Sequence, residues 1–448
     1  MSNLGTPTTK PATPSGGWSD LWKKEDWWAV WLGLGIVVVA IIAWAMGSTL
    51  KPIAIKFPKY DAFSTITEYF SSNVGGYLLL FIVFTAVFTF AAKILGHKVN
   101  QFIPGFIFLF VGATIIQIMG AWSVAKQYYL EAPLIALLVG MLISNTVKLP
   151  EWMGASLRTE FYVKTGIVLL GATLPFTKII EAGPMAFGQA TLIAVTTFVT
   201  IYLVGVKIGL DRRFATCLAA GGSICGVSAS IAIGGSVKAE KEHVSIAISL
   251  VVVWAIIMVI FLPIVIKAFG IADGPAGAWI GTSEFADAAG MAAAATISEQ
   301  AIRTFTLMKV VGRDMFIGIW CFIMAFISVT RWEKNETGTK PDAKQIWVRF
   351  PKFVLGFFVA SIILTLMLTD VSADVSKVIN SDIISPVKTL RTWAFTLCFF
   401  CIGLTTRFKE LASVGWKPFA AFTAGVAVNV PLGFIMSVLI LGSYWAQQ

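Results

Sequence analysis

One charge-free stretch rich in small residues reads Ala219-Ala-Gly221-Gly222-Ser223-Ile-Cys225-Gly226-Val-Ser228-Ala-Ser230-Ile-Ala-Ile-Gly234-Gly235. It is the centre of a longer segment, 214–237, that contains no charged residue. Glycine at this density weakens a helix, since each glycine costs about 1 kcal/mol relative to alanine. The sequence therefore predicts a broken or re-entrant helix within apolar surroundings.

The whole chain is too apolar for a soluble protein. Of its 448 residues, 57% are hydrophobic and 13% are charged, and the mean hydropathy is +0.81. A soluble chain has about 25% charged residues, so a soluble enzyme is excluded, and so is intrinsic disorder, which requires low hydrophobicity. Since one transmembrane helix needs about 20 apolar residues, we predict an all-α polytopic membrane protein.

Eleven ordinary transmembrane helices are predicted from charge-free runs. These runs are Trp27–Met46, Gly75–Ala92, Phe102–Trp122, Ala132–Val147, Thr165–Thr177, Ala182–Val206, Val244–Ile266, Met315–Thr330, Phe353–Thr369, Thr392–Thr406 and Pro418–Gln448. Two special segments, 214–237 and 274–302, are crowded with Gly, Ala and Ser and are predicted to be broken or re-entrant. Residues 1–26 are polar and are predicted to form a disordered cytoplasmic tail before a transmembrane domain over 27–448.

The distribution of lysine and arginine predicts the orientation, because these residues collect in cytoplasmic loops. The loop 331–352 holds six of them and is predicted to be cytoplasmic, whereas the next loop, with three aspartates, is predicted to face outside. The N-terminus is then cytoplasmic and the C-terminus extracytoplasmic, in the plasma (inner) membrane. The net charge of +10 is explained by this topology, so no nucleic-acid partner is expected.

The cysteines and histidines do not form a metal-binding pattern. Five cysteines lie in apolar stretches, including Cys398 and Cys401 with CxxC spacing, and the chain has two histidines. Buried cysteines usually act as small hydrophobic side chains, and two histidines are too few for a histidine-based metal centre. We expect no cofactor and no metal site.

An internal repeat appears at a constant offset of 232 residues. The matching pairs are Gly171 and Gly403, Phe176 and Phe408, Ile179 and Leu411, Gly183 and Gly415, and Phe187 and Phe419. Each copy is a short apolar span, a polar hinge and a long apolar span, within units of about 130–210 and 350–448, and the loop charges give the copies opposite orientations. Inverted repeats with short or interrupted helices are typical of alternating-access transporters; the alternative is chance similarity.

The first special segment has two interpretations. A break near Gly221 and Gly222 would let a helix restart with Ser223 as its N-cap, and free backbone N–H groups there would favour an anion or polar solute. Gly226 and the hydroxyls of Ser228 and Ser230 would complete that substrate-binding site. The alternative is a packing face of small residues between helices.

The second special segment carries charge. Its Gly281-Thr282-Ser283 motif is predicted to be a second helix start that contributes to substrate binding, with Glu284 and Asp287 on one helical face three residues apart. These acids would either couple transport to a proton or cation, or stabilise the helix dipole as first-turn acids. Lys309 would either supply charge for the substrate or snorkel to the membrane interface.

Several motifs resemble the YeiH-type family, multi-pass membrane proteins labelled as sulfate exporters. The similar stretches lie between about residues 130 and 430 and are Ala136-Leu-Leu-Val-Gly140-Met-Leu-Ile-Ser-Asn145-Thr146, Gly166-Ile-Val-Leu-Leu-Gly171, Gly222-Ser223-Ile-Cys225-Gly226, Val237-Lys238-Ala-Glu240 and Gly403-Leu-Thr405-Thr406. The Gly-Ser-Ile-Cys-Gly element is the most specific of them. The resemblance implies a transporter of sulfate or a related anion.

The chain departs from the family pattern near its charged residues. Phe285, Ala286 and Ala289 stand where the family usually has His, an acid and Gln, and Ala172-Thr173 stands in place of a basic residue. Lys309 matches a family lysine, but Gly312 replaces the arginine three residues later and Arg313 is displaced by one. The substrate or the coupling ion is therefore expected to differ from the family's.

These features together predict a secondary transporter of a small inorganic or organic anion (sulfate, sulfite or an organosulfonate), working by alternating access. The alternative within transport is a cation/proton antiporter that uses Glu284 and Asp287. An enzyme is not expected, because the sequence has neither a nucleophile–base pair nor a Walker phosphate loop. The expected partners are the anion and the lipid bilayer, and a homodimer is left open.

Overall fold

The structure, a computed structural model, describes residues 19–127, 132–314, 317–332, 351–369, 371–407 and 415–448. Within these ranges the regular elements are helices, which confirms the all-α class. Residues 1–18 of the predicted tail, most of the predicted cytoplasmic loop 331–352, and residues 408–414 of the second repeat lie outside the described residues.

The helices of the first half are α1 (Asp20–Lys23), α2 (Glu25–Ala45), α3 (Phe63–Ile94), α4 (Val99–Ala121), α5 (Ser123–Gln127), α6 (Ala132–Thr146), α7 (Thr159–Gly171), α8 (Phe176–Lys207), α9 (Arg212–Ser223) and α10 (Val227–Ser236). Those of the second half are α11 (Lys241–Ala268), α12 (Asp273–Ser283), α13 (Asp287–Ala295), α14 (Glu299–Thr306), α15 (Ile317–Ile327), α16 (Phe353–Leu368), α17 (Ala373–Ile379), α18 (Ser385–Thr405), α19 (Trp416–Phe434) and α20 (Gly442–Trp445).

Seven helical stretches of the described residues are long and apolar enough to cross a membrane. They are Glu25–Ala45, Phe63–Ile94, Val99–Ala121, Ile179–Lys207, Glu242–Ala268, Ala373–Thr405 and Trp416–Ile440. Shorter apolar helices cover Ile135–Thr146, Val227–Ser236 and Phe353–Leu368. Each of the eleven predicted runs overlaps a helix, so the structure agrees with a polytopic membrane protein.

Two predicted boundaries need correction. Helical structure begins at Asp20 rather than at residue 27. The predicted short span Thr392–Thr406 is wrong, because α17, a π-helical segment and α18 form one helix of 33 residues from Ala373 to Thr405. Two charges of the segment before Thr392 are held by partners. Asp382 pairs with Lys51 at 2.5 Å, and Arg391, which ended the apolar run and is almost fully buried, donates to Thr173 Oγ1 at 3.1 Å.

The chain divides into two compact units, the first made of residues 1–173 and 355–405, and the second of residues 174–354 and 406–448. In the first unit, α18 packs along α6 and α7. Gly140 on α6 and Gly403 on α18 lie so close that an added Cβ at Gly140 would stand 2.8 Å from the Gly403 Cα. Small residues at this contact let the two backbones approach, as is usual between membrane helices.

In the second unit, α8 and α19 pack together, and both also contact α9. Thr197 on α8 and Asn429 on α19 are 232 residues apart, the offset of the sequence repeat, and the Asn429 side-chain amide donates to Thr197 Oγ1 at 2.9 Å. Repeat-related helices are thus neighbours, and two equivalent positions bond to each other. A second cluster of this unit joins α9 and α10 to α15 through buried side chains such as Ile224, Ile233 and Cys321.

Candidate functional site

Both special segments are broken helices, and both belong to the second unit. The first break separates α9 from α10 at residues 224–226, and the second separates α12 from α13 at residues 284–286. Gly226 is the N-cap of α10 with φ of +72°, a conformation that favours glycine. A Cβ on Gly226 would also overlap the Phe285 carbonyl oxygen. The two breaks are therefore in direct contact at Gly226 and Phe285.

The first break lies beyond its predicted position at Gly221 and Gly222. Both glycines are inside α9, where a Cβ on Gly221 would overlap Ser230 Oγ and a Cβ on Gly222 would overlap Ile201. The predicted N-cap role of Ser223 is wrong, because Ser223 is the last residue of α9 and its hydroxyl donates to the Ala219 carbonyl at 2.7 Å. The small residues of α9 thus serve helix packing, the alternative interpretation.

The hydroxyls of α10 have different surroundings. Ser230 is fully buried against α9, and its hydroxyl donates to the Cys217 carbonyl at 3.5 Å. Ser228 lies in the first turn of α10 and is only half-buried. Of the serines predicted to bind substrate, Ser228 is therefore the one at a helix start beside the break.

The second motif is a helix end and not the predicted helix start. Gly281, Thr282 and Ser283 close α12, and the Thr282 hydroxyl donates to the Trp279 carbonyl at 2.9 Å. Glu284 lies in the break, and Asp287 is the first residue of α13. The prediction that these two acids share a helical face is wrong, because the backbone is extended between them.

Lys309 lies against both breaks. It is fully buried, and its Nζ donates to the Ile224 carbonyl at 3.2 Å and to the Glu284 carbonyl at 2.9 Å. The same Nζ is 3.7 Å from Asp287 Oδ1. The snorkelling interpretation of Lys309 is therefore wrong. A lysine without solvent access is held here by two carbonyls and a carboxylate, which offset part of the cost of burying its charge.

Arg313 was not among the predicted site residues, yet it lies at the same place. Its Nη1 donates to the Gly281 and Thr282 carbonyls at 3.0 and 2.9 Å, and its Nη2 donates to the Ser223 carbonyl at 2.7 Å. These carbonyls belong to the last turns of α12 and α9, which have no partners within their helices. Arginine at a helix C-terminus satisfies such groups and the negative dipole end.

A π-helical segment brings Lys309 and Arg313 to the site. It covers Leu307–Val311 and continues α14. Its wider turn takes one more residue than an α-helical turn, and such π-bulges occur frequently at functional sites. Gly312 and Arg313, where the chain departs from the family pattern, directly follow this segment.

Three acids lie within the same buried region. Glu284 is fully buried, Asp287 is 9% exposed and Asp314 is 2% exposed. Glu284 Oε1 accepts a hydrogen bond from the Ala286 backbone N–H at 3.1 Å, whereas Glu284 Oε2 has no hydrogen-bond partner within the described ranges. The region thus combines two basic with three acidic side chains. No group of three metal-ligating side chains occurs in the part of the chain that the structure describes.

The chain is similar to a set of membrane proteins that share one family description. Residues 104–422 match the family described as "Conserved hypothetical protein 698". A UPF0324 membrane protein of Rhodopirellula baltica is 30% identical, over 98% of this chain and 93% of its own length. One of Nitratidesulfovibrio vulgaris is 35% identical over 81% of this chain and 63% of its own length, and one of Nitrosomonas europaea is 29% identical over 89% and 91%. No solved structure matches the chain.

Proposed function

The chain belongs to the UPF0324 family of membrane proteins, which is the YeiH-type family, and we propose that it is a secondary transporter of a small anion. The proposed substrates are sulfate, sulfite and organosulfonates. The observation that carries the proposal is the contact of two helix breaks around two buried cations, Lys309 and Arg313. A charge buried in a membrane segment is costly, and by default it marks the path of a substrate or an ion.

The first turn of α10 is the proposed anion-binding element. The first N–H groups of a helix have no partners within it and lie at its positive dipole end. Val227 and Ser228 at this end are half-buried, and we take their N–H groups and the Ser228 hydroxyl as the groups that would contact a small solute. Lys309 bonds the Ile224 carbonyl three residues before this turn and would supply the positive charge. Such a site would bind an anion while using few ionised side chains of its own.

Glu284 is the proposed carrier of a coupling proton. It is fully buried, and its Oε2 lacks a hydrogen-bond partner within the described residues. An ionised carboxylate in such surroundings is costly, so the group is best neutralised by a proton. Taking up and releasing that proton would change the charge of the site by one unit, which is what coupling to a proton gradient requires.

The repeat supports alternating access. The chain passes between its two compact units three times, at Thr173–Leu174, at Val354–Leu355 and at Thr405–Thr406. Leu174 and Thr406 are related by the same offset of 232 residues as the repeat and as Thr197 and Asn429. Paired elements of inverted repeats usually move as bodies around a fixed binding site. We assign the hinges of the transport cycle to the two repeat-related linkers, Thr173–Leu174 and Thr405–Thr406.

A cation/proton antiporter is the second candidate, and the excess of acids in the site favours it. Three buried acids lie in the region with two buried basic side chains, so the region would be negative if all were ionised. In that case Glu284→Gln and Asp287→Asn should abolish pH-dependent cation flux. If both variants keep that flux while they remain folded, this candidate is excluded.

The proposed function is tested by counterflow with purified protein in proteoliposomes. Vesicles loaded with one unlabelled anion are given a labelled one, and sulfate, sulfite, an alkylsulfonate, phosphate and a carboxylate are compared. We expect one sulfur oxyanion to exchange faster than in protein-free vesicles. If none of these anions shows counterflow and the protein instead carries proton-driven sodium or potassium flux, the anion-transporter proposal is wrong and the antiporter takes its place.

A further inference from the structure

The carbonyl oxygens at both helix breaks are bonded by cationic side chains of the chain itself. Lys309 Nζ donates a hydrogen bond to one carbonyl at each break, those of Ile224 and Glu284. Arg313 donates to the last carbonyls of the two helices that precede the breaks. These are Ser223 on α9, and Gly281 and Thr282 on α12. Two helix C-terminal ends are therefore neutralised by Lys309, within the π-helical segment, and by Arg313, two residues after its end.

Carbonyls in this arrangement normally attract a free cation. The C-terminal end of a helix carries roughly half a negative elementary charge. In transporters with interrupted helices, the unwound carbonyls and half-helix C-terminal ends coordinate the coupling sodium ion. Here Lys309 has the corresponding ligands, because two carbonyl oxygens at 3.2 and 2.9 Å and the Asp287 carboxylate at 3.7 Å surround its Nζ.

We propose that the Lys309 ammonium occupies a monovalent-cation site formed by the Ile224 and Glu284 carbonyls and the Asp287 carboxylate, so that the protein works without sodium. This inference rests on the proposed function only in taking the two breaks as the transport site. Removal of the ammonium leaves an oxygen-lined space that a free sodium or ammonium ion can fill. The chain then gains a dependence on a cation that the native protein does not have.

Lys309 is a better stand-in for an ion than Arg313. Its ammonium is a compact point charge with three donors, and it has three partners. The Arg313 guanidinium is planar and spreads its charge over a fork that reaches both helix ends. A free sodium or ammonium ion is compact like the lysine head group, whereas neither reproduces the shape of guanidinium. The proposal therefore applies to the Lys309 position alone.

The test measures thermal unfolding of purified full-length protein in sodium, ammonium and choline chloride at equal ionic strength. The variants are Lys309→Ala and Lys309→Met, the second of which keeps most of the side-chain volume. Lys207→Ala is the control, because Lys207 is exposed at the end of α8. A ligand that binds only the folded state raises the unfolding temperature.

We expect the wild type and Lys207→Ala to unfold at one temperature in all three salts. Lys309→Ala should unfold several degrees higher in sodium or ammonium than in choline, which is too large for the space. A sodium-dependent rise in the wild type would contradict the proposal. The proposal would also be contradicted if the folded Lys309 variants unfold at the same temperature in sodium, ammonium and choline. It would likewise be contradicted if these variants fold in neither sodium nor ammonium. Because no transport is measured, the result stands apart from the outcome of anion counterflow.

Discussion

Gly226 occupies a position where two stretches of backbone leave no room for a side chain. Its φ is +72°, and a Cβ would overlap the Phe285 carbonyl oxygen. We expect Gly226→Ala to lose about 1–3 kcal/mol of stability from overpacking, together with added backbone strain. The measurement is thermal unfolding in detergent. Gly188→Ala on α8 is the control, since nothing lies within 4 Å of its added Cβ, and an equal effect of both substitutions would refute this explanation.

Ser223 has a different task from the one that its motif predicted. Its hydroxyl donates to the Ala219 carbonyl within α9, and its own carbonyl accepts from Arg313. Ser223→Ala removes a hydrogen bond within α9 and leaves the carbonyl in place, so we expect counterflow to stay within about twofold of wild type, the equivalent of about 0.4 kcal/mol. A complete loss of counterflow in the folded variant would contradict this expectation and show that the Ser223 hydroxyl is needed for substrate binding.

Arg313 shows what could not be predicted at the residue scale. The sequence identified Lys309 by its position in the family pattern, but Arg313 stood one residue away from the expected place. Only the π-helical segment Leu307–Val311 brings both side chains to the breaks. A π-turn leaves no clear sequence signal, because it depends on how the neighbouring helices pack. The position of Arg313 therefore needed the structure.

At the scale of elements, apolar runs predicted where helices lie but not where they end or break. Glycine density indicated a break in residues 214–237, which is correct, yet Gly221 and Gly222 make close packing contacts and the break follows at Gly226. A glycine-rich composition occurs both at close helix contacts and at helix breaks, so only the backbone structure distinguishes between them. Likewise, charge ended the run before Thr392, whereas Arg391 is buried and bonded and the helix continues.

The contact of α8 and α19 makes a prediction about the pairing of the repeats. Asn429 donates to Thr197 Oγ1 at 2.9 Å in a buried position. A double-mutant cycle of Thr197→Val and Asn429→Leu should give a coupling energy of about 1 kcal/mol, in the range of interhelical hydrogen bonds in membranes. Unfolding in mixed micelles measures it. Additive effects of the two substitutions would mean that this bond does not hold the helices together.

At the scale of the whole molecule, charge counts predict which side each terminus faces. The five native cysteines are buried and should react slowly with a membrane-impermeant maleimide, so the wild type is its own background control. We expect Gln448→Cys to be labelled in intact cells and Ser2→Cys only after permeabilisation, because the lysine and arginine counts predict that the basic loops face the cytoplasm. The reverse pattern would invert the assigned topology, and labelling of both in intact cells would change the number of crossings.

The central claim is that the positive charge of the buried Lys309 at the two helix breaks supports binding of the transported anion at the first turn of α10. It is tested most directly by counterflow of the anion that exchanges best, with Lys309→Gln and the exposed control Lys207→Gln in matched proteoliposomes. We predict that Lys309→Gln slows exchange about a hundredfold or more, the equivalent of about 3 kcal/mol for a lost buried charge, while Lys207→Gln matches wild type. Exchange at the wild-type rate by folded Lys309→Gln would contradict the claim.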